Sequence, residues 1–427
     1  MTDTIFALSS GAPPAAIGVI RISGPSAGEA LRELAGDLPE PRRASYRALR
    51  DGVGDLLDRA LVLWLPGPAT ATGEDTAELY CHGGRAVIAA VEARLGALPK
   101  LRHATPGEFT RRAFVNGRID LAEAEGLADL LSAETELQRR SAQAMAGGFF
   151  SRLVEDWRGQ LLYLSASVEA VLDFGDEDDV AGLPSSFEAN LANLLGQIES
   201  WLDRPRAELL RDGFRVVLAG PPNAGKSSLF NALVDAEAAI VTPLAGTTRD
   251  VLARPVALSG MPFVFLDTAG LRDDTSDVVE AIGVERARDT AAGADLVLWL
   301  GAEGKGPPGA WDIDPQCDRQ DRVVKQAPRH RVSVVTGEGF SALRYDLVDA
   351  ARAALPLPGE AALNERQGRL LQSAAFALRE AQGALNGDGL VVAEHFRQAR
   401  LAFDELIGRV ATEDMLDALF GRFCIGK

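Results

Sequence analysis

Apolar positions along the chain change their period between segments. Over residues 1–116 they come in short runs bounded by Gly and Pro. Residues 15–23 and 59–65 are β-branched or apolar stretches that predict strands, and residues 78–81 predict another, ending at Gly83-Gly84. Helix-like pieces lie between them, around residues 27–34 and 86–95, so this part reads as α+β. From Asp120 the spacing becomes helical: Leu121, Ala124, Leu127, Ala128 and Leu131 share one face, and the pattern runs on to Met145. A second long helix is predicted from Phe150, Leu153, Trp157, Leu161, Leu164, Val168 and Val171, and a third over residues 186–211. The acidic run Asp176, Glu177, Asp178, Asp179 between them is a solvated turn or a cation or partner site. Strands and helices then alternate from Phe214 to Leu355, which predicts a parallel α/β sheet. After a linker at residues 356–359, long helices return over residues 361–385, 391–407 and 412–423. Helices of one style therefore bracket the α/β segment. The expected organisation is an N-terminal domain at 1–116, a helical domain in two parts at 117–211 and 356–427, and an inserted doubly wound α/β domain at 212–355.

Composition narrows the function classes. The 427 residues include 44 Lys+Arg and 61 Asp+Glu, a formal charge of −17, so the chain is a poor non-specific binder of nucleic acid. Any such partner must meet a local basic patch or be held by another subunit. No run of about 18 apolar residues predicts a membrane span. The first ten residues lack a basic n-region and carry Asp3, unlike a secretory signal. Three scattered cysteines, Cys81, Cys317 and Cys424, are no disulfide framework, and the expected location is the cytoplasm. The adjacent Cys81-His82 reads as ordinary packing or, less simply, as metal ligation.

Candidate chemistry centres on residues 214–228. The apolar run Phe214-Arg-Val-Val-Leu-Ala219 leads into Gly220-Pro-Pro-Asn223-Ala224-Gly225-Lys226-Ser227, and a helix-like segment opens at Ser228. This is G-x-x-x-x-G-K-[ST] in its strand–loop–helix setting. Backbone N–H groups and the helix N-terminus favour phosphate, Lys226 reaches the outer phosphates, and the Ser227 hydroxyl is a Mg²⁺ ligand. Asp267-Thr268-Ala269-Gly270 closes an apolar strand; the carboxylate suits Mg²⁺ through water, and the Gly270 N–H can sense a γ-phosphate. Gly246-Thr247-Thr248 offers a further Mg²⁺-shell hydroxyl. In this order the pieces point to a GTPase binding GTP and GDP.

The base-reading element departs from the usual pattern. No Asn-Lys-x-Asp follows the strand expected at residues 295–300; the nearest candidate, Pro315-Gln316-Cys317-Asp318, keeps only the carboxylate, which can accept from guanine N1–H and its 2-amino group. Ser333, before Thr336-Gly337-Glu338-Gly339, stands where a loop backbone would read the guanine carbonyl. The residue after Asp267-x-x-Gly is Leu271, which cannot orient water. Glu280 is the candidate for that task, with Asp273, Asp274 and Asp277 as rivals.

These motifs together make the chain resemble the MnmE (TrmE) family of tRNA-uridine modification GTPases over nearly its whole length. They include Asp3-Thr-Ile, Gly18-Val-Ile-Arg21-Ile-Ser-Gly24, Thr72-Gly-Glu-Asp75, His82-Gly-Gly84, Pro106-Gly-Glu-Phe109, the Pro222–Ser228 loop, Ala245-Gly-Thr-Thr-Arg-Asp250, Asp267-Thr-Ala-Gly-Leu-Arg272 and the terminal Cys424-Ile-Gly-Lys427. The resemblance implies an N-terminal folate-binding domain that forms a homodimer, a discontinuous helical domain and an inserted G domain. It implies K⁺-dependent hydrolysis by G-domain dimerisation, with K⁺ held by Asn223, Thr242, Thr247 and the Leu244 carbonyl, Mg²⁺ by Ser227 and Thr248, and Glu280 as catalytic glutamate. It implies a 5-formyl-tetrahydrofolate-type ligand at Arg21, Glu78, Arg118 and Lys427. It also implies a flavin-dependent MnmG-type partner, in a heterotetramer that installs an aminomethyl or carboxymethylaminomethyl group at C5 of the tRNA wobble uridine. A regulatory assembly switch without folate chemistry, and a folate-dependent transferase with a degenerate G domain, stand as alternatives. Cys424 is a nucleophile or a structural residue.

Overall fold

The computed structural model describes residues 3–174, 182–235, 252–267, 293–319, 324–357 and 359–426. The acidic run 176–179 lies outside them. The chain divides into two compact units, Met1–Ala128 with Asp404–Lys427, and Asp129–Phe403.

The first unit is built on a six-stranded sheet: β1 (Thr4–Leu8), β2 (Ile17–Ser23), β3 (Ser45–Arg50), β4 (Leu56–Leu65), β5 (Thr76–His82) and β6 (Leu101–His103), in the order β3-β4-β5-β2-β1-β6. Period-two alternation decides its faces. Ala77, Leu79 and Cys81 of β5 enter the core, whereas Glu78 and Tyr80 point the other way. Helices α1 (Ala27–Ala35) and α2 (Arg85–Gly96) cover the core face through Leu31, Leu34, Ile88 and Val91. Two further helices, α3 (Glu108–Val115) and α4 (Leu121–Ser132), complete the N-terminal part.

The returning C-terminal segment belongs to this unit. Helix α13 (Glu413–Phe420; α5–α12 are described below) packs Leu416 and Phe420 against Leu121 and Ala124. Arg111 pairs with Glu413 and, at 2.8 Å, with Asp417.

A buried charge cluster ties α3 to the strands. The Arg112 guanidinium is fully buried and meets Asp3, Glu74 and Glu108, each at 3.1 Å. Such an arginine is tolerable only because carboxylates and hydrogen bonds replace its water. Glu108 also receives Arg102 at 2.6 Å and the Thr105 N–H at 2.9 Å. Burial by itself would push the Glu108 carboxyl up, but these donors outweigh it and hold the group down at about 2.

The second unit opens with α5 (Glu136–Ala146), α6 (Phe149–Phe174), α7 (Phe187–Leu202) and α8 (Ala207–Asp212). Trp157, fully buried on α6, meets Trp201 of α7 edge-on at 6.3 Å and Phe403 at 6.2 Å. A second sheet follows, in the order β12-β11-β10-β7-β9-β8: β7 (Phe214–Ala219), β8 (Leu252–Leu258), β9 (Met261–Asp267), β10 (Leu296–Trp299), β11 (Trp311–Pro315) and β12 (His330–Val332). Helices α9 (Lys226–Asp235) and α10 (Phe340–Ala354) bury Leu229, Leu233, Leu343 and Leu347 against one face. Helices α11 (Glu365–Gly383) and α12 (Gly389–Leu406) follow. Among the described residues no helix is long and apolar enough to cross a membrane.

The structure corrects several expectations. The pattern read as one helix over 120–145 is two, α4 and α5, because Thr135 and Gln138 form a reciprocal capping box that starts a new helix. The third helix breaks between α7 and α8 at Pro205, which disfavours helical backbone before it. The second sheet is not wholly parallel: β8 pairs antiparallel with β9 through a two-residue turn at Ser259-Gly260, where both φ angles are positive. Strands β1, β3, β6, β8 and β11 and helix α3 were not predicted.

One parallel connection is unusual. Strands β10 and β11 are parallel neighbours, yet residues 300–310 join them with no helix. Such crossovers normally carry one. The Trp299 ring takes up space beside this loop instead: a Cβ on Gly301 would lie 2.5 Å from it and one on Gly306 2.8 Å. Its indole N–H donates to the Ala302 carbonyl at 2.8 Å. The buried Lys325 ammonium ties the Trp299 carbonyl to Asp312 at 3.2 and 2.8 Å.

Glu108 gives the first unit an acid sensitivity. Its folded carboxyl lies below the ordinary 4.5, so its contribution is complete above that value and is lost as pH falls towards about 2. The stability difference between wild type and Glu108→Gln should therefore shrink over that window. Urea denaturation across a pH series reads it; a constant difference would assign the sensitivity elsewhere.

Candidate functional site

The apolar strand β7 is buried in the sheet interior, with β10 and β9 parallel on its two sides. Its C-terminal end delivers the chain to Gly220, and α9 begins six residues later at Lys226. In between, Asn223 adopts φ +62 and Gly225 φ +85. This left-handed backbone turns successive N–H groups inward, the geometry of an anion-binding nest. The positive end of the α9 dipole adds to it.

Lys226 is buried, and its ammonium donates to the Gly220 and Pro221 carbonyls at 2.9 and 2.8 Å. Burial pushes it below its ordinary value, opposed by the Asp267 charge. The Ser227 hydroxyl donates to Asp267 Oδ2 at 2.9 Å. Asp267 is buried at the end of β9. The hydroxyl and carboxylate that sequence assigned to Mg²⁺ are therefore adjacent, an all-oxygen pair suited to a hard cation.

The base-reading candidates come to the same place. A cavity of about 200 Å³ is lined by Gly225 and Ser228 of the phosphate loop and by Gln316, Asp318, Arg319 and Val334. The Pro315–Asp318 tetrapeptide leaves β11, not the strand at 295–300 after which it was sought. Ser333 is fully buried; its N–H donates to the Glu338 carbonyl at 3.0 Å and its hydroxyl accepts from the Thr336 N–H at 3.1 Å. Its side chain thus shapes its own loop, and Val334 and Val335 line the cavity. Sequence reasoning gave no role to Gln316, Arg319 or these valines; the proximity of an Arg to a failed motif was the one available signal.

The remaining nucleotide candidates lie outside the described residues: Thr242, Leu244, Gly246, Thr247, Thr248, Thr268, Ala269, Gly270, Leu271, Asp273, Asp274, Asp277 and Glu280.

The family model described as the MnmE helical domain matches residues 121–424, and that described as the GTP-binding protein TrmE N-terminus matches residues 4–118. The chain belongs to the MnmE family of tRNA modification GTPases. The tRNA modification GTPase MnmE of Erythrobacter litoralis is 63% identical over 425 residues, covering 100% of both chains. That of Novosphingobium aromaticivorans is 62% identical over 439 residues, again covering 100% of each. That of Rhizorhabdus wittichii is 59% identical, covering 100% of this chain and 97% of its own. Among solved structures, the G domain of the T. maritima FeoB iron transporter covers 32% of this chain and 98% of its own at 26% identity, with a TM-score of 0.23, a likeness too low to inform the fold.

The second set of candidates from the MnmE resemblance lies in the first unit. Arg21 of β2 and Glu78 of β5 are cross-strand partners, and their side chains pair at 3.0 Å. Glu78 also accepts from the Tyr80 hydroxyl at 2.8 Å, which raises that phenol above its ordinary value. The Arg21 guanidinium lies 5.8 Å from the centre of the Phe109 ring. Arg118 is exposed beside Gly73; a Cβ on that glycine would lie 3.2 Å from its Cγ. Lys427 is outside the described residues, but the preceding Gly426 carbonyl accepts from the Ser9 hydroxyl at 2.8 Å, just past the end of β1. Cys81 is buried and its thiol is pushed up to about 12, first by burial and then by Asp58. Among the described residues no cluster suits a metal, so the ligation reading of Cys81-His82 finds no support. The His82 ring instead meets the buried Asp58 at 2.7 Å. Cys424 is exposed and free.

Proposed function

We propose that the chain binds and hydrolyses GTP as the GTPase subunit of a cytoplasmic complex that modifies C5 of the tRNA wobble uridine, using a folate one-carbon donor. The single observation that carries the GTP reading is the shared cavity, which residues of the phosphate loop and Asp318 line together. A carboxylate accepts from guanine N1–H and the 2-amino group, and adenine offers no such donor pair. Lys226, now bonded to the Gly220 and Pro221 carbonyls of the turn, would reach the outer phosphates. Ser227 would hold Mg²⁺, with Asp267 adjacent and Thr248 as a further ligand. K⁺ would be held by Asn223, Thr242, Thr247 and the Leu244 carbonyl, supplying fixed positive charge as the phosphate bond breaks. Glu280 would orient the attacking water, a task Leu271 cannot perform.

The folate reading is supported by the Arg21–Glu78 pair on the sheet face opposite α1 and α2, beside Phe109 of α3. A carboxylate suits a pterin, and cations such as Arg21, Arg118 and Lys427 suit a glutamate tail. The Ser9 bond to Gly426 holds the terminal segment at the end of β1, whose Ala7 is paired in register with Arg21. Homodimerisation through this unit is supported by Tyr46 and Leu61, exposed cross-strand neighbours at 62% and 47%, with Ile17 at 56%. The surplus of acidic residues fits a subunit that leaves most tRNA contacts to an MnmG-type partner.

Asp318→Asn should lower affinity for GTP at least about tenfold and favour xanthosine triphosphate, because an amide donates where the carboxylate accepted. Equal GTP and ATP binding by the wild type, or an unchanged GTP affinity in the variant, would remove the guanine assignment. GTP turnover should be at least about tenfold faster in KCl than in NaCl, and equal rates would remove the cation mechanism. Cells lacking the chain should lose the C5 substituent from wobble uridines by mass spectrometry; an unaltered profile would overturn the tRNA role.

A further inference from the structure

Around helix α3 of the first unit, two arginines are committed and a third is not. Arg111 pairs with Glu413 and Asp417, and Arg112 with Asp3, Glu74 and Glu108. Arg118, just past the helix, is exposed, and its guanidinium has no hydrogen-bond or ion-pair partner among the described residues. Its backbone, by contrast, is closely placed. The Arg118 N–H donates to the Ala113 carbonyl at 2.8 Å and the Gly117 N–H to the Phe114 carbonyl at 2.9 Å, with Gly117 at φ +64. This is the Schellman closure of a helix, which fixes the direction in which the following residue leaves it.

The stem of that side chain is held as well. A Cβ on Gly73 would lie 3.2 Å from Arg118 Cγ, 3.4 Å from its Cδ and 3.0 Å from Asn116 Cβ, so the bare glycine backbone lies against both residues. The Asn116 amide donates to the Thr72 carbonyl at 2.7 Å and keeps the glycine in that place. From there residues 72–75 reach back to β2. The Thr72 and Ser23 hydroxyls bond at 2.7 Å, and the Gly24 N–H donates to the Asp75 carbonyl at 2.9 Å. Ser23 stands two residues along β2 from Arg21, on the same face. A short chain of contacts thus joins the Arg21–Glu78 pair to Arg118, and Asn116 closes its last step. Its links are backbone groups and short side chains, which have little rotamer freedom.

We propose that Asn116 is a positioning residue that sets Arg118 at a fixed separation from Arg21 and Glu78, for a ligand with a pterin at one end and a carboxylate at the other. This rests on the folate reading above and deepens it. Asn116 acts through Arg118: it holds residues 72–75 against the arginine stem, so the guanidinium meets a tail carboxylate without first having to be ordered.

The test is calorimetric titration of the full-length chain with 5-formyl-tetrahydrofolate and with its glutamate diamide, which keeps the pterin but carries no tail charge. Wild type should prefer the charged ligand, and Arg118→Ala should cut that preference about fivefold, the upper size of an exposed charge pair. Asn116→Ala deletes one exposed amide and leaves the helix end able to close. It should cut the preference about threefold, with unchanged affinity for the diamide, and should add nothing in the Arg118→Ala background. If Asn116→Ala weakens both ligands equally, or leaves the preference as in wild type, the positioning role is refuted. It is refuted as well if Asn116→Ala keeps its full effect in the Arg118→Ala background. If Arg118→Ala leaves the preference unchanged, Arg118 does not meet the tail and the proposal falls with that contact. A wild-type chain that binds neither ligand overturns the folate reading itself, and that titration is read first.

Discussion

The backbone leaves β7 at Gly220 and enters α9 at Lys226, and on the way it takes positive φ angles at Gly220, Asn223 and Gly225. Those angles depend on the strand being rigid, and the strand is rigid because it is paired on both sides and buried on both faces. A loop on an edge strand would have the same residues but no fixed platform. From this one constraint follow the inward N–H groups, the approach of Ser227 to Asp267 at the end of the neighbouring strand, and the contact of the turn with the β11 loop.

Two of the buried cations among the described residues, Arg112 and Lys226, show how differently a buried charge can be surrounded. Arg112 is surrounded by Asp3, Glu74 and Glu108, so its charge is fully answered within the first unit and holds α3 to the strands. Lys226 is nearly as buried, but it donates to the neutral carbonyls of Gly220 and Pro221. Carbonyl dipoles stabilise an ammonium without cancelling it, and the Asp267 carboxylate, which accepts from the Ser227 hydroxyl, acts on Lys226 as a nearby counter-charge. A buried positive charge is thus locked among carboxylates in one unit and held by neutral carbonyls in the other.

Much of the phosphate site was legible because its signal is local. A strand, a glycine-bearing turn, Lys226 and Ser227 follow one another in sequence, so reading along the chain reaches them all. Asp318 was legible only as a residual carboxylate, since its placement depends on β11, whose alternating Trp311-Asp-Ile-Asp-Pro315 is half polar and did not read as a strand. The short strands β1 and β6 escaped for a similar reason: β6 forms by pairing with β1 across a long stretch of chain, and isolated five- and three-residue segments carry little period. The break before α5 was in principle readable, because Thr135-x-x-Gln138 is a capping signature, but the continuing apolar spacing concealed it. The burial of Arg112 was not read from the sequence, since only Glu108 lies one helical turn away, whereas Asp3 and Glu74 come from distant parts of the chain and are brought to it by the fold.

The loop that joins β10 to β11 without a helix has an effect beyond its own edge of the sheet. Gly301 stands between the Trp299 indole and Pro221: a side chain there would meet the ring at 2.5 Å and the proline Cδ at 3.1 Å. Core packing transmits such crowding because it has no slack to absorb it. The aromatic plug and the turn after β7 are therefore separated by a wall one glycine thick, and bulk added at Gly301 would be felt at Pro221.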